Sequence, residues 1–437
     1  MKENSLLTLG AKIKALRLSK GLTQGELTRG EITAGLISQI ESDRVAPSSR
    51  VIALLAEQLG VTPDELIGEV ETRNLQLQTL REAREFLEEL NGSAALPLLN
   101  ELQEASVSYI SPVELKLDIA YAKELIGDVD TAINLYADVE QFAFTHEDHG
   151  LGAQCMNRQG ELYFRLNRIS LALHCFKKAL GFLLELTSPP IQQLCITRKH
   201  ISVCTYRLGN TEQALASAEQ AYHDLQGTSY MSEMAELCHI LSVLFVSYGS
   251  AGKAQQFALD AVSIYRSLGM EAQLTDAKMN YAIVLKESGD LNNALSVLPS
   301  VINEYYNQNR NTELASAWTE RASCEIQLHQ YDDAERSLER SFALAQQDTL
   351  AYAEALRTRG VLEAEKEQLD KAIENLESSL ELLLKMQKYM TGEQVLQLLK
   401  SLYTKLGDQI RSFESHERIC TLLARIKHQK MTTFITP

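Results

Sequence analysis

The chain lacks the features of an exported or membrane-spanning protein. Its 437 residues contain no apolar run long enough to cross a bilayer, and Met1-Lys2-Glu3-Asn4 leads into no apolar signal region. We therefore expect a soluble, cytoplasmic protein with no membrane partner. The chain is also too long for one ordinary hydrophobic core, so we expect at least two domains.

Paired cysteines are absent as well. The seven cysteines are scattered, and no two of them form a Cys-x-x-Cys pair. They are residues 155, 175, 195, 204, 238, 324 and 420. An odd, dispersed set of this kind favours reduced cysteines that fill helix interfaces in a cytoplasm.

Motifs of catalysis and cofactor binding are missing too. The sequence has no G-x-x-x-x-G-K-[ST] phosphate loop and no strand–glycine–helix dinucleotide motif. His146 and His149 lie in a turn between helix pairs with no further ligands nearby, and Arg198 and His200 show no nucleophile–base arrangement. We expect no enzymatic activity, no cofactor and no metal.

Charge is distributed unevenly along the chain. The net charge is −16, but residues 1–50 carry eight Lys and Arg against five Asp and Glu. This head is therefore basic by three charges on an acidic body of −19. Because DNA affinity depends on the face that is presented, a basic head can bind DNA while the body repels it.

What the sequence does contain is a repeat. A turn residue followed five positions later by alanine, or once by serine, recurs about every 40 residues. The pairs are Gly127/Ala132, Asn167/Ala172, Gly209/Ala214, Gly249/Ala254, Gly289/Ala294, His329/Ala334, Glu367/Ala372 and Gly407/Ser412. A fixed period in this range predicts stacked structural repeats, and here it occupies everything after the first seventy residues.

Each repeat is predicted to be two antiparallel helices, A before the turn and B after it. Small residues precede the turn by about seven positions and let the two helices approach closely; they are Gly160, Ser202, Ser242, Ala282, Ala322 and Gly360. The arrangement resembles the tetratricopeptide repeat, with longer units. The resemblance implies a right-handed superhelix of eight to nine helix pairs over residues 71–437. Residues 71–106, with Asn91-Gly92 and Ala95, form a linker helix and degenerate first repeat.

Residues 1–70 are predicted to form five short helices. The first runs from about Leu9 to Ser19. The second opens at Thr23 with a Thr23/Glu26 capping box. The third begins at Thr33. The fourth runs from Ser49 to Leu59 and ends at Gly60, and the fifth follows Thr62-Pro63.

Two of these helices joined by a tight turn resemble the helix-turn-helix unit of the phage-repressor-like (Xre) class. The residues that carry the resemblance are Arg17, Gly21-Leu22-Thr23-Gln24, Leu27, Ile37-Ser38-Gln39-Ile40-Glu41, Pro47-Ser48 and Leu59-Gly60-Val61. The turn Gly30-Glu31-Ile32 is one residue shorter than in most phage repressors, which is similar to the PlcR and NprR regulators. A degenerate domain used only for dimerisation is the alternative reading of this head.

The resemblance implies specific DNA contacts from the third helix, which would enter the major groove. Gln39 is the best base reader, since its amide can pair with the acceptor and the donor of adenine. Gln24 would bind phosphate at a helix N-terminus, and Arg44 and Arg50 would clamp phosphates. Arg17 and Glu41 would be a structural pair. The full expected set is Gln24, Thr33, Ala34, Gly35, Ser38, Gln39, Arg44 and Arg50.

Tetratricopeptide arrays bind extended peptides or partner helices on the face of their A helices. Asn157 and Asn280 are the leading candidates there, because an asparagine side chain offers both a donor and an acceptor to an extended backbone. The full expected set is Gln154, Asn157, Glu161, Lys199, Tyr206, Glu236, His239, Asn280, Lys286, Glu320 and Arg357. An ordinary solvated helix face remains the alternative for any single one of them.

The head and the array together resemble the RRNPP family (Rap, Rgg, NprR, PlcR and PrgX), and NprR/PlcR-like members are the most similar. In length and in the number of about nine units, the chain is most similar to NprR-like regulators. The resemblance implies a transcriptional regulator that is switched by a short signalling peptide in quorum sensing. It would act as a homodimer or higher oligomer on a pseudo-palindromic operator in double-stranded DNA. Two alternatives stay open: a peptide-gated inhibitor or scaffold acting on a response regulator or other partner, and a regulator with no peptide.

Overall fold

The structure of the protein is a computed structural model. It describes residues 9–27, 32–42, 45, 47–67, 69–105 and 110–431. Every regular element in these ranges is a helix and none is a β-strand, which confirms the all-α fold. None of the described helices is long and apolar enough to cross a membrane.

The chain divides into two compact units, Met1–Asp148 and His149–Pro437. The domain boundary expected at residue 70 stays a prediction, and a continuous helix, α5 (Glu69–Glu88), begins beside it. The first helix pairs of the array therefore group with the N-terminal head rather than with the rest of the repeats.

The head of the first unit agrees closely with the expected helices. Its four described helices are α1 (Leu9–Ser19), α2 (Ala34–Glu41), α3 (Ser49–Leu59) and α4 (Pro63–Ile67). The expected second helix is represented by a turn over residues 24–27, and residues 28–31, where it would continue, lie outside the described residues.

Side-chain caps set the starts of these elements. Thr23 and Glu26 form the expected capping box: the Thr23 amide donates to the Glu26 carboxylate at 2.7 Å, and the Glu26 amide donates to the Thr23 hydroxyl at 3.2 Å. Thr62 and Glu65 repeat the arrangement before α4. Gly60 ends α3 in the left-handed conformation at φ 56°, which costs glycine little.

The head has its own core, and the linker helix contributes to it. The buried side chains are Ile13, Leu27, Ile37, Ile40, Ile52, Leu55, Ala56, Leu59 and Leu66. Leu75 of α5 packs against this cluster. Burial of a side chain of this size stabilises a fold by about 1.5–3 kcal/mol.

Nine helix pairs follow in the described residues. In the first unit they are α5/α6 and α7/α8, where α6 is Gly92–Glu104, α7 Pro112–Leu125 and α8 Val129–Thr145. In the second unit the A helices are α9 (His149–Arg165), α11 (Ile191–Arg207), α13 (Met231–Ser247), α15 (Glu271–Glu287), α17 (Asn311–Gln327), α19 (Leu350–Glu365) and α21 (Tyr389–Lys405). Its B helices are α10 (Ile169–Glu185), α12 (Thr211–Leu225), α14 (Ala251–Leu268), α16 (Leu291–Asn307), α18 (Tyr331–Leu344), α20 (Leu369–Lys385) and α22 (Gln409–Met431).

The recurring turn residue has the same conformation in every pair. All eight expected turn residues have positive φ, including the non-glycines Asn167, His329 and Glu367 at 58–61°. In the first pair the residue with positive φ is Leu90, at 59°, and not Asn91 or Gly92 as expected. Leu90 precedes the buried Ala95 by five positions, so the first pair follows the same rule as the others.

Close helix contact explains the small residues of the repeat. The alanine after the turn is fully buried in all seven repeats that have it, from Ala132 to Ala372. A Cβ added to Gly160 would lie 2.7 Å from the Phe176 ring, and one added to Gly360 would lie 2.6 Å from Leu376. These distances are shorter than van der Waals contact, so the A and B helices approach as closely as the sequence predicts.

The cysteines fill helix interfaces as expected. None of the seven forms a disulfide; six are buried and Cys420 is exposed. Burial raises the pKa of Cys195 and Cys324 to about 11 and that of Cys204 and Cys238 to about 12. These four thiols are therefore poor nucleophiles at neutral pH.

Candidate functional sites

Helix α2 presents the expected base-reading residues to solvent. Thr33 caps the helix by accepting a hydrogen bond from the Leu36 amide at 3.2 Å, while Ile37 and Ile40 anchor the opposite face in the core. The side chains that remain exposed are Thr33, Ala34, Gly35, Ser38 and Gln39. The period of the helix thus separates a buried face from one that could enter a DNA groove.

A buried ion pair holds α2 against α1. The Nε and Nη2 atoms of Arg17 donate to the two carboxylate oxygens of Glu41 at 2.5 and 2.9 Å, and both side chains are less than one tenth exposed. Burial alone would raise the pKa of Glu41, but hydrogen bonds from Arg17 and Gln24 outweigh it and the pKa falls below its ordinary value of 4.5. The expected structural pair is therefore present in bidentate form.

Gln24 contacts the ion pair. Its Nε2 donates to Glu41 at 2.8 Å, so its side-chain amide supports this pair, while its expected phosphate contact stays a prediction. Arg50 is exposed in the first turn of α3, where a phosphate contact is open to it. Arg44 lies outside the described residues.

The A helices of the second unit are joined by a ladder of polar contacts. Each contact links a side chain to one about a repeat further along the chain, from one A helix to the next. The ladder consists of Asn157–Thr197, Lys199–Glu236, Tyr206–Ser247, Ser242–Asn280 and Lys286–Glu320, with distances of 2.5 to 3.0 Å. Seven of the eleven expected groove residues take part in this ladder, and in two of its contacts, Lys199–Glu236 and Lys286–Glu320, both partners were expected.

Asn157 is held at one end of its amide and open at the other. The Thr197 hydroxyl lies 3.0 Å from Asn157 Oδ1 and 2.8 Å from the Gln193 carbonyl oxygen. A hydroxyl has one proton, and the two ends of an asparagine amide are interchangeable by a flip, so Thr197 engages only one amide atom. The other atom has no hydrogen-bond partner among the described residues and can bind a ligand backbone.

Asn280 is less accessible than the sequence suggested. It is 7% exposed, and its Nδ2 donates to the Ser242 hydroxyl at 2.7 Å, which in turn donates to the His239 carbonyl oxygen. The interpretation of Asn280 as a freely offered amide therefore needs correction, because the donor is used within the ladder. Only its Oδ1 is left without a described donor.

Lys286 is also buried, and a cluster of charges surrounds it. Its Nζ bonds Glu320 at 2.6 Å and lies 3.0 Å from Glu287. Burial would lower the pKa of Lys286, but these carboxylates raise it. The pKa of Glu354, on the neighbouring helix α19, is raised by burial and then by Glu320. Sequence reasoning missed Glu354, although it stands three positions before the expected Arg357.

Arg357 is the member of this cluster with an open donor. Its Nε is buried and has no hydrogen-bond partner in the described part of the chain. An unsatisfied buried donor costs free energy, so a ligand that supplies an acceptor would gain by binding there. The arrangement at α17 and α19 thus favours a group with a carboxylate or carbonyl oxygen.

The remaining expected residues lie on the same face with weaker contacts. Gln154 is exposed, and Glu161 lies 3.6 Å from Arg158. Burial lowers the pKa of His239, against the opposing effect of Asp276 and Glu236. Sequence reasoning also missed three residues of the ladder, Thr197, Ser242 and Ser247. Each lies about one repeat away from an expected residue, and this separation could have identified them.

Two distant turns of the second unit meet. Asn167, in the turn between α9 and α10, donates from Nδ2 to Oε1 of Gln387, in the turn between α20 and α21, at 3.3 Å. A cleft of about 320 Å³ lies there, lined by Leu166, Asn167, Lys385, Met386, Gln387 and Lys388. Repeats far apart in sequence are therefore in direct contact.

No group of three or more metal-ligating side chains comes together in the ranges that the structure describes. His146 stacks on Phe142 with ring centroids 3.9 Å apart, and His149 lies near Phe182 at 6.1 Å. Both histidines thus pack against aromatic rings in their own units.

Comparison with known proteins identifies both parts of the chain. Residues 13–66 match the helix-turn-helix family, and residues 313–385 match the tetratricopeptide repeat. No curated protein sequence matches the chain. The chain therefore joins a helix-turn-helix domain to a tetratricopeptide repeat domain, as the sequence predicts.

Solved structures share the fold at low sequence identity. The apo form of RapI is 14% identical over 81% of this chain and 99% of its own, with a TM-score of 0.62. The Rap conjugation gene regulator of plasmid pLS20, in complex with the Phr* peptide, is 14% identical over 83% and 98%, with a TM-score of 0.53. Aspartyl phosphate phosphatase F from Bacillus subtilis is 13% identical over 79% and 93%, also at 0.53. The Rap-like fold and the two domains agree with the resemblance to the RRNPP family, while closeness to NprR or PlcR stays a prediction.

Proposed function

We propose that this RRNPP-type chain is a cytoplasmic transcriptional regulator that binds DNA through its helix-turn-helix domain and is switched by a short signalling peptide bound on the A-helix face of its second unit. The observation that carries the proposal is the pairing of two sites in one chain. One is an exposed α2 face fixed by the Arg17–Glu41 ion pair, and the other is a ladder of A-helix side chains with open hydrogen-bonding atoms.

The DNA-binding half rests on position and charge. Gln39 and Ser38 are exposed at the middle of α2, where major-groove readers are placed. Residues 1–50 carry a net charge of +3, which favours phosphate contacts from Arg50 and its neighbours. Gln24 supports this face through its hydrogen bond to Glu41.

The peptide-binding half rests on pre-oriented polar atoms. Thr197 fixes the amide of Asn157, and Ser242 fixes that of Asn280, so a bound main chain would not have to order either side chain. The Arg357 donor would receive an oxygen of the ligand, with Gln154 and Glu161 on the adjoining surface. The relative that binds the Phr* peptide shares this fold, which supports a peptide as ligand here.

The switch is a shift between two arrangements of the protein. A peptide shifts the populations of the two arrangements only if it binds one of them more tightly. A difference of about 5.5 kcal/mol in binding free energy would move the ratio of the two arrangements from 1:99 to 99:1. We infer that the active species is a homodimer on a pseudo-palindromic operator, since helix-turn-helix proteins read two half-sites with two domains.

A second candidate is a peptide-gated inhibitor or scaffold that acts on a response regulator or another protein. The fold that this chain shares with aspartyl phosphate phosphatase F supports this second candidate function. For this chain we infer a regulatory and non-enzymatic role, which the matches to the helix-turn-helix and the tetratricopeptide repeat support.

Two experiments test the proposal separately. Selection of binding sites from random double-stranded DNA should return a pseudo-palindromic sequence; recovery of no enriched sequence would contradict DNA reading. Thermal unfolding with fractionated peptides from the medium of the source cells should show one fraction that raises the midpoint. A ligand at 100 times its Kd adds about 2.7 kcal/mol of stability.

A matched variant makes the peptide experiment specific. Asn157→Ala removes the open amide from the A-helix face, while Asn375→Ala removes an exposed amide from the B helix α20. We expect the first to lose most of the midpoint shift and the second to keep it. An equal shift in both variants would place the ligand elsewhere and contradict the assignment of the site.

A further inference from the structure

Basic side chains are concentrated in one part of an otherwise acidic array. Residues 149–207, from α9 to α11, contain eight Lys and Arg against two Asp and Glu, whereas the body as a whole carries −19. Three of the eight are in ion pairs, which are Arg158–Glu161, Arg198–Asp224 and Lys199–Glu236. Positive charge remains in excess after these pairs form, and the DNA-binding and A-helix sites do not use it.

Two of these arginines lie at the turn between α9 and α10. Arg168 follows Asn167 in this turn, and its side chain is exposed. The Arg207 guanidinium, at the end of α11, lies 4.5 Å from the centroid of the Phe164 ring. Phe164 in turn accepts a backbone hydrogen bond from Asn167 at 3.0 Å. One arginine is therefore placed at the turn by the chain itself, and the other is held beside it by a cation–π contact.

Two lysines from the other end of the second unit come to the same turn. The hydrogen bond between Asn167 and Gln387 joins the α9/α10 turn to the α20/α21 turn. Lys385 and Lys388 line the cleft of about 320 Å³ between these turns, and both side chains are exposed. Lys385 donates to Asp348 at 3.1 Å, but the two side chains are 68% and 64% exposed, so this pair contributes little.

The four basic side chains at this cleft and its α9/α10 turn form a basic rim, which consists of Arg168, Arg207, Lys385 and Lys388. Among the described residues, only Lys385 of the four has an ion-pair partner. Like charges repel each other, so bringing these side chains together costs free energy that an anion between them would recover. The basic rim therefore favours a negatively charged ligand.

The rest of the lining indicates the chemistry of that ligand. Asn167 and Gln387 supply amide groups with N–H donors, and Leu166 and Met386 supply apolar surface. Lysine and arginine are the side chains that proteins use to bind phosphate groups. The volume of the cleft lies at the lower end of the range for small-molecule sites, about 300–1,000 Å³. Since the charges come from both turns, a ligand with more than one phosphate can contact both.

We propose that the cleft between the α9/α10 and α20/α21 turns binds a small molecule that carries two or more phosphate groups. Its phosphates lie against the basic rim and bridge the two turns, so the bound molecule stabilises the contact of Asn167 with Gln387. Binding of the molecule and closure of this contact are therefore linked. The proposal goes beyond the proposed function, and its tests need neither DNA nor signalling peptide, so each can fail alone.

Isothermal titration calorimetry of the full chain tests the site. The probes are inorganic pyrophosphate and a nucleoside diphosphate, with sulfate at the same ionic strength as the reference. We expect saturable binding of one phosphate probe per chain and no saturable binding of sulfate. The double substitution Lys385→Gln with Lys388→Gln should weaken binding by about tenfold or more, which corresponds to about 1.4 kcal/mol or more.

The control variant removes the same charge outside the cleft. Lys371 on α20 and Lys405 at the end of α21 are exposed and do not line the cleft, so Lys371→Gln with Lys405→Gln should leave the affinity unchanged. Equal affinities for the two probes would identify the phosphate groups as what is recognised. Tighter binding of the nucleoside diphosphate would add an apolar contact, which Met386→Ala should remove. No saturable binding, or the same affinity in both double variants, overturns the proposal.

Hydrogen–deuterium exchange tests whether the ligand bridges the two turns. With saturating pyrophosphate, the backbone amides of residues 165–168 and of residues 385–388 should both exchange more slowly, because the bound molecule holds the turns together. In the double variant of Lys385 and Lys388, the same concentration of pyrophosphate should change neither segment. Slower exchange in only one of the two segments, or in neither, rules out the bridge.

Discussion

Asn167 and Gln387 are 220 positions apart in the chain and share a hydrogen bond of 3.3 Å. Both are turn residues with positive φ, one between α9 and α10 and the other between α20 and α21. The contact brings the beginning and the end of the second unit together through an exposed hydrogen bond.

The first prediction concerns this contact. In a Cys420→Ser background, cysteines at 167 and 387 should be joined rapidly by a short bifunctional maleimide, because the two turns touch. The matched pair has cysteines at 167 and 309, since Asn309 is also a positive-φ turn residue. Mass spectrometry of the cross-linked peptides measures both yields, and similar yields would mean that the two ends do not stay in contact.

The second prediction concerns base reading. Gln39→Ala should weaken binding to the selected operator by about 1–3 kcal/mol and leave binding to random DNA nearly unchanged, because the amide reads bases and carries no charge. The control is Glu57→Gln on α3, an exposed residue away from the α2 face. Fluorescence anisotropy measures both; an equal loss on random DNA would show that α2 is not the reading helix.

The third prediction concerns the buried ion pair of Lys286 and Glu320. Their side chains are 9% and 19% exposed. Glu320→Met alone removes one of the carboxylates that neutralise the buried Lys286, so it should lower the free energy of unfolding by about 3 kcal/mol or more. The double variant Lys286→Met with Glu320→Met should recover much of that loss. Chemical denaturation of the four proteins completes the cycle, and purely additive losses would show that the two residues do not interact.

The fourth prediction separates two glycines in helices. Gly360→Ala should destabilise the protein by about 1–3 kcal/mol, since its Cβ would lie 2.6 Å from Leu376 and 3.1 Å from the Ala372 carbonyl oxygen. Gly181→Ala meets nothing within 4 Å and should stabilise by about 0.5–1 kcal/mol through helix propensity. Thermal midpoints that move in the same direction for both would contradict the close approach of α19 and α20.

The fifth prediction concerns pH. Burial, with a smaller effect of Lys199, lowers the pKa of His200 to about 4 from an ordinary value of 6.5. Between these values the unfolded chain binds more protons than the folded one, so stability falls as the pH falls from 6.5 toward 4. In His200→Leu the thermal midpoint should decline less steeply over this range. His239, whose pKa is also lowered, remains as a second contribution in both proteins.

The helices of the head and the period of the array could be read from the sequence because their signals are local. Capping pairs such as Thr23/Glu26 and Thr62/Glu65 lie three residues apart, and the structure places both as expected. The five-residue interval from turn to alanine is likewise local. The same interval separates Leu90, the turn residue of the first helix pair, from Ala95.

The candidate ligand site was only partly predictable. Helix period placed Asn157, Lys199, Asn280 and Lys286 on the A-helix face, but it could not show what each side chain bonds. Asn280 and Lys286 are buried and engaged because neighbouring A helices bring Ser242 and Glu320 to them. The hydrogen bond from Gln24 to Glu41 was not predicted for the same reason.

The sequence by itself determined the all-α fold, the helix-turn-helix head, the repeat period and the faces on which the candidate residues lie, because each depends on residues within about one turn or one repeat. The tertiary structure alone decided the division at residue 148, the A-helix ladder and the contact of Asn167 with Gln387. These features depend on the small rotation between each repeat and the next, which adds up along the array. A local sequence pattern does not contain this total rotation.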